Sequence, residues 1–110
     1  MAGVIAAAKN DICGVGIAYN AKVAGLRIVG PDGVHPIHEA TALNHGAQNV
    51  DIYNSAHGKN TYENPHYAVK QAHLYGVTYG REQKGSIYVV AAGNDPDGDG
   101  NCNTDGWANG

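Results

Sequence analysis

The 110 residues contain no phenylalanine, only two serines, two cysteines, four prolines and seven lysines or arginines. Each scarcity removes a class of function. The basic residues form no cluster and the net charge is −3, so no electrostatic footprint for nucleic acid is present. No apolar run approaches the length that spans a bilayer. The opening Met1-Ala-Gly-Val-Ile-Ala-Ala-Ala8 lacks the basic start and length of a signal peptide, and read alone the chain is expected to stay in the cytosol. Cys13 and Cys102 fit no C-x-x-C metal spacing; a long-range disulfide, two free thiols and two half-bridges all remain open. Neither Ser55 nor Ser86 lies in a G-x-S-x-G elbow, so nucleophilic catalysis by this chain alone is poorly supported.

What the chain has in quantity is glycine, sixteen of them, and small-residue packing in one domain follows. Residues 2–9 are Ala-rich and read as the last part of a helix closed by Asn10-Asp11. Residues 15–19 and 23–29 read as two short strands, and Gly30-Pro31-Asp32-Gly33 as a turn. Pro36 opens a helix with Ile37, Ala40 and Leu43 on one stripe, stopped by Gly46. Residues 50–53 read as a strand. Asn64-Pro65 then caps a longer helix with Ala68, Ala72, Tyr75 and Tyr79 on its stripe and Gly80 as its stop. The run 87–92 reads as a strand covered on both faces, ending at Gly93-Asn94. This alternation is that of a parallel α/β sheet.

The same pass yields candidate sites. Asn94 follows a strand at the end where parallel sheets place their crevices, and its amide would suit an oxyanion; from spacing alone a loop cap is favoured. Gly14-Val-Gly16-Ile-Ala-Tyr19 has Tyr where a dinucleotide fingerprint needs its third glycine, and is rejected. Asp95-Pro-Asp97-Gly-Asp99-Gly100 spaces carboxylates as in a calcium loop, but its twelfth position is Gly106, not Glu, so a solvated acidic loop is preferred. His35 and His38 could share a metal only with a third ligand, and surface histidines are preferred.

The runs Cys13-Gly-Val-Gly-Ile-Ala-Tyr-Asn-Ala-Lys-Val-Ala-Gly-Leu-Arg-Ile28, Lys84-Gly-Ser-Ile-Tyr-Val-Val-Ala-Ala-Gly-Asn94 and Asn101-Cys-Asn-Thr-Asp-Gly-Trp107 resemble, in order, the catalytic domain of kexin- and furin-type proprotein convertases, a branch of the subtilisin-like serine proteases. The resemblance implies that residues 1–110 are a fragment of one such domain. The fold expected is a partial doubly wound α/β, mainly parallel sheet with flanking helices. It implies a calcium-dependent endopeptidase that cuts precursor proteins after basic residues in the secretory pathway. The family's Asp/His/Ser triad would lie outside these residues, upstream of Met1 and beyond Gly110, so the chain alone is expected to be inactive.

Residue by residue, the resemblance gives Asn94 the role of oxyanion donor and Asp105 that of the acid under the basic residue preceding the cut. Glu39 and Glu63 match acids for a basic residue further from the cut. Ser55, Ala56 and Gly58 line the edge that pairs with extended substrate, and Trp107, where the family has Tyr, joins the same wall. Without the resemblance, each acid reads as a solvated surface charge. Ala7, Ile12 and Gly14 carbonyls with the Asn10 side chain match part of a calcium site whose aspartates lie upstream. The family has Ser-Trp-Gly-Pro where Ala56-His-Gly-Lys59 stands, and Gly-Gly where Asp95-Pro96 stands. It also implies that Cys13 and Cys102 are not bonded to each other. Two other readings are a non-catalytic module that binds basic peptides and a small calcium module on residues 95–106.

Overall fold

A computed structural model describes residues 1–57, 64–94 and 106. Along the chain stand α1 (Ala2–Ala6), β1 (Val29–Gly30), β2 (Gly33–Val34), α2 (Pro36–Asn44), β3 (Ile52–Ser55), α3 (Tyr67–Gln83) and β4 (Ile87–Val90). β3 and β4 are parallel, in the register Ile52 to Ile87 through Ser55 to Val90, and α3 is the crossover between them. This is the α/β plan the alternation predicts: a small parallel sheet with flanking helices.

The strands expected over residues 15–19 and 23–29 do not form, apart from Val29 in β1. For residues 15–19 the reason lies in α1. The carbonyls at a helix end lack helical partners, and the following segment supplies donors to two of them and to the cap: Ile17 N–H donates to Val4, Ala18 to Ile5 and Gly16 to Ala7, at 3.1, 2.7 and 2.9 Å. Backbone donors spent on a helix end are lost to a ladder. The helix is also shorter than residues 2–9, and Asn10 forms a local turn by accepting the Ile12 N–H at 2.9 Å.

The turn at residues 30–33 forms as read. β1 and β2 pair antiparallel around it, and Gly33 takes φ +91°, a value that a β-carbon disfavours. α2 begins at Pro36, with His35 as its cap accepting from the Ile37 N–H. Its buried face keeps two of the three expected residues, Leu43 in the core and Ala40 packed on it, but Ile37 is 61% exposed and Glu39 is buried instead.

α3 starts at Tyr67 rather than at Asn64-Pro65, because the His66 imidazole takes the cap and accepts from Ala68 N–H at 3.2 Å. Regular helix ends at Gly80, as expected, and Arg81 and Glu82 turn left-handed. The buried stripe is Val69, Ala72, Gly76 and Gly80. The expected stripe shares only Ala72 with it, and Tyr75 and Tyr79 lie exposed with rings 5.4 Å apart. Packing chose the small residues over the aromatic ones for close approach: a β-carbon on Gly76 would strike the Tyr88 hydroxyl.

The core is Leu43, Val69 and Ala72, with Ala40 and Tyr88 packed on it. Strand β4 is not covered on both faces as expected. Ile87 and Val89 are exposed while Tyr88 and Val90 are half-buried, since α2 and α3 pack on the Tyr88 side only. Two tyrosines bolt strands to α2: Tyr88 donates to the Leu43 carbonyl at 3.0 Å and Tyr53 to that of His45 at 2.9 Å, with their rings stacked 5.0 Å apart.

Candidate functional site at the carboxyl ends of the parallel strands

The parallel register makes β3 and β4 finish together. Ala91 N–H donates to the Ser55 carbonyl at 3.1 Å, extending the ladder to the point where both chains leave the sheet. Residues 55–57 emerge from one strand and residues 91–94 from the other. That edge is where an open parallel sheet presents its ligand crevice.

Three side chains are joined there. Ser55 Oγ lies 2.7 Å from His57 Nδ1, and His57 Nε2 lies 2.5 Å from Glu39 Oε1. Glu39 comes from the first turn of α2, where a negative charge is favoured by the helix dipole. A carboxylate only accepts, so Nε2 carries the proton toward Glu39, and a neutral ring then accepts the Ser55 hydroxyl at Nδ1. The Glu39 side chain is 7% exposed and that of His57 33%. A charge so buried is retained only where it is hydrogen-bonded.

Ser, His and Glu are also the groups of a hydrolytic relay. Here Ser55 closes a strand in Asn54-Ser55-Ala56, without the glycine-flanked elbow that lifts a nucleophile clear of a sheet, so the chain of contacts is read as positioning. Beside it, His73 of α3 bonds the Val69 carbonyl through Nδ1 at 3.1 Å and meets the Tyr88 ring edge-on at 4.7 Å. Burial holds the His73 pKa below its ordinary value, while the Val69 hydrogen bond and the Glu39 charge oppose that shift. Burial likewise raises the Tyr53 and Tyr88 hydroxyls.

Of the residues picked from the sequence, Glu39 and Ser55 are brought into one connected set, and Ala56, exposed, lies between Ser55 and His57. Asn94 follows β4 at the same end and is exposed. Gly58, Glu63, Asp105 and Trp107 lie outside the described residues, as do Cys102 and all of the acidic loop but Gly106. Cys13 is a free, exposed thiol. His35 caps α2 and its ring lies 5.4 Å from that of His38, and among the described residues no three His, Cys, Asp or Glu gather for a metal. His57 and His73 are not among the site residues picked from the sequence; the signals for His57 are its place two residues after a strand-end serine and its standing where the family has Trp.

Two of the expected calcium donors already have partners. Ala7 carbonyl already accepts from Gly16, and Asn10 Oδ1 from Ile12. Four neutral oxygens fall short of the six to eight, several of them carboxylate, that calcium takes. This set does not hold the ion by itself. A broad groove between α2 and α3, lined by Ile37, Ala40, Thr41, Ala68 and Tyr75, contains none of the sequence-predicted site residues.

Comparison with known proteins agrees with this geometry. The model of the subtilase family matches residues 1–106. Protease KEX1 of Kluyveromyces lactis is 45% identical over 112 residues, which cover 98% of this chain and 15% of that protein. The dibasic-processing endoprotease of Yarrowia lipolytica is 42% identical over 98% of this chain and 11% of its own length. Neuroendocrine convertase 2 of Homo sapiens is 45% identical over 96% of this chain and 17% of its own length. The chain thus spans less than a fifth of these relatives, and subtilases generally bind calcium. Matched from its first residue to residue 106 and aligned at these identities over nearly its whole length, the chain belongs to the subtilase family, in its kexin- and furin-type proprotein convertase branch.

Proposed function

We propose that this chain supplies the oxyanion donor and part of the substrate groove of a serine endopeptidase that cleaves precursor proteins after basic residues in the secretory pathway. The observation that carries the reading is the shared end of β3 and β4, with Ser55 opposite Val90 in register. An extended substrate laid along residues 55, 56 and 58 pairs by main-chain hydrogen bonds, as an added strand does. The Asn94 amide donates to the oxygen that becomes negative when the peptide carbonyl is attacked. By the resemblance, Asp105 is the acid for the guanidinium or ammonium preceding the cut and Trp107 a substrate-binding residue, while Glu39 and Glu63 are acids for a basic residue further away.

The nucleophile and its proton shuttle belong to other parts of the protease, so the 110 residues by themselves hydrolyse no peptide bond. Calcium would be held through Ala7, Ile12 and Gly14 carbonyls and the Asn10 side chain, completed by carboxylates from elsewhere.

The test is Asn94→Ala in the complete protease, assayed on a peptide with paired basic residues before the cut. In subtilisin, of the same family, losing one such donor costs about 2.7–4 kcal/mol, which is ~100- to 1,000-fold in kcat. A fall of that size with KM little changed supports the reading. Unchanged kcat rejects it.

A further inference from the structure

We propose that His57 is a built-in occupant of the acidic subsite at Glu39, so that a basic substrate side chain binds there by displacing an imidazole rather than by filling an empty site. The inference rests on the reading above that Glu39 faces substrate, and adds a residue that sets how strongly this subsite selects.

Glu39 is buried, and the 2.5 Å contact with His57 Nε2 is a short, charge-assisted hydrogen bond. His57 itself is one-third exposed and follows directly on the strand end, where Ser55 holds its other nitrogen at 2.7 Å. The ring is thus aimed from the side of the groove onto the carboxylate, with its rear anchored two residues away on the same chain. An arriving guanidinium finds the Oε1 acceptor already spent. Its gain at Glu39 is reduced by the bond it must break, whereas an uncharged side chain at the same position loses nothing. The consequence is weak preference for a basic residue at this subsite, with basic selection left chiefly to the pocket assigned to Asp105.

The probes are two N-acetylated, C-amidated tetrapeptides that differ only in arginine or norleucine at the first position, with arginine at the last. Calorimetry would compare the full 110-residue chain with His57→Ala, Glu39→Gln and the double variant. Freed of its occupant, the His57→Ala chain should bind the first-position arginine peptide ~10-fold tighter, with the norleucine peptide unchanged, and the double variant should lose that gain. Equal effects on both peptides would mean that His57 is merely structural, and would overturn the inference. So would a His57→Ala change with no effect, if Glu39→Gln still weakens the arginine peptide; the groove reading then survives alone. If Glu39→Gln discriminates in neither background, or if no chain binds either peptide, both fall. Should the variants fail to fold, imidazole ¹⁵N spectra of the unsubstituted chain decide: the arginine peptide must shift His57 Nε2 while the norleucine peptide leaves it in place, and an unmoved Nε2 overturns the inference.

Discussion

The hydroxyl of Tyr88 occupies the space that a β-carbon on Gly76 would need, so β4 and α3 touch where one of them has no side chain. The same hydroxyl reaches past the helix to the Leu43 carbonyl at 3.0 Å. One small residue in α3 thus lets a strand tyrosine cap a different helix.

Gly76→Ala should therefore destabilise the chain. In an open helix the change would gain ~1 kcal/mol from propensity, but here the ring must move, and overpacking of this kind costs about 1–3 kcal/mol. A urea midpoint lower than that of the unsubstituted chain checks it. A rise would show that Tyr88 yields freely.

Tyr88→Phe keeps the ring and deletes the donor. Leu43 lies in the last turn of α2, where carbonyls lack helical partners, so its oxygen is stranded at a cost of about 1–3 kcal/mol. Tyr53→Phe should act likewise through His45. Equilibrium denaturation of each variant measures the loss.

Acid should weaken the fold through His73. Its folded pKa lies below the ordinary 6.5 because burial penalises the imidazolium, so the unfolded chain takes up the proton first. The contribution is fully present above that value and is lost as pH falls through the lower folded pKa. Among the groups acting on it are the Tyr88 ring, the Val69 carbonyl and the Glu39 charge. The denaturation midpoint of the unsubstituted chain should drop on acidification from above 6.5, and His73→Phe should flatten that part of the profile. Parallel profiles would reject the assignment.

The two partners of the Arg81–Asp51 pair, 2.9 Å apart, should differ in worth. Asp51 is 76% exposed, and its removal should cost under about 1 kcal/mol. Arg81 also donates from Nη1 to the Gly85 carbonyl at 3.2 Å, holding the turn into β4. Arg81→Ala should therefore lower the melting temperature more than Asp51→Ala does.

Much of this was legible before any coordinates. Proline at the first position of α2, glycine at the end of regular helix in α3 and the Pro-Asp pair between β1 and β2 act through local sterics, which neighbours in sequence suffice to predict. The resemblance picked out Glu39 and Ser55 one at a time. It marked His57 only as a departure, where the family has Trp, and did not link it to Glu39, because the two are eighteen residues apart and no periodicity links a helix turn to a strand end.

The sequence by itself determined the family, the alternation of helix and strand and the places where chain direction changes, all properties carried by short runs. Tertiary structure decided which faces were buried and which backbone donors were spent. Residues 15–19 read as a strand, yet Gly16, Ile17 and Ala18 are drawn onto the open end of α1. The tyrosine stripe of α3 reads as core, yet glycine packs closer. Propensity ranks what a segment prefers alone; burial and hydrogen-bond partners, which exist only once distant segments meet, choose among those preferences.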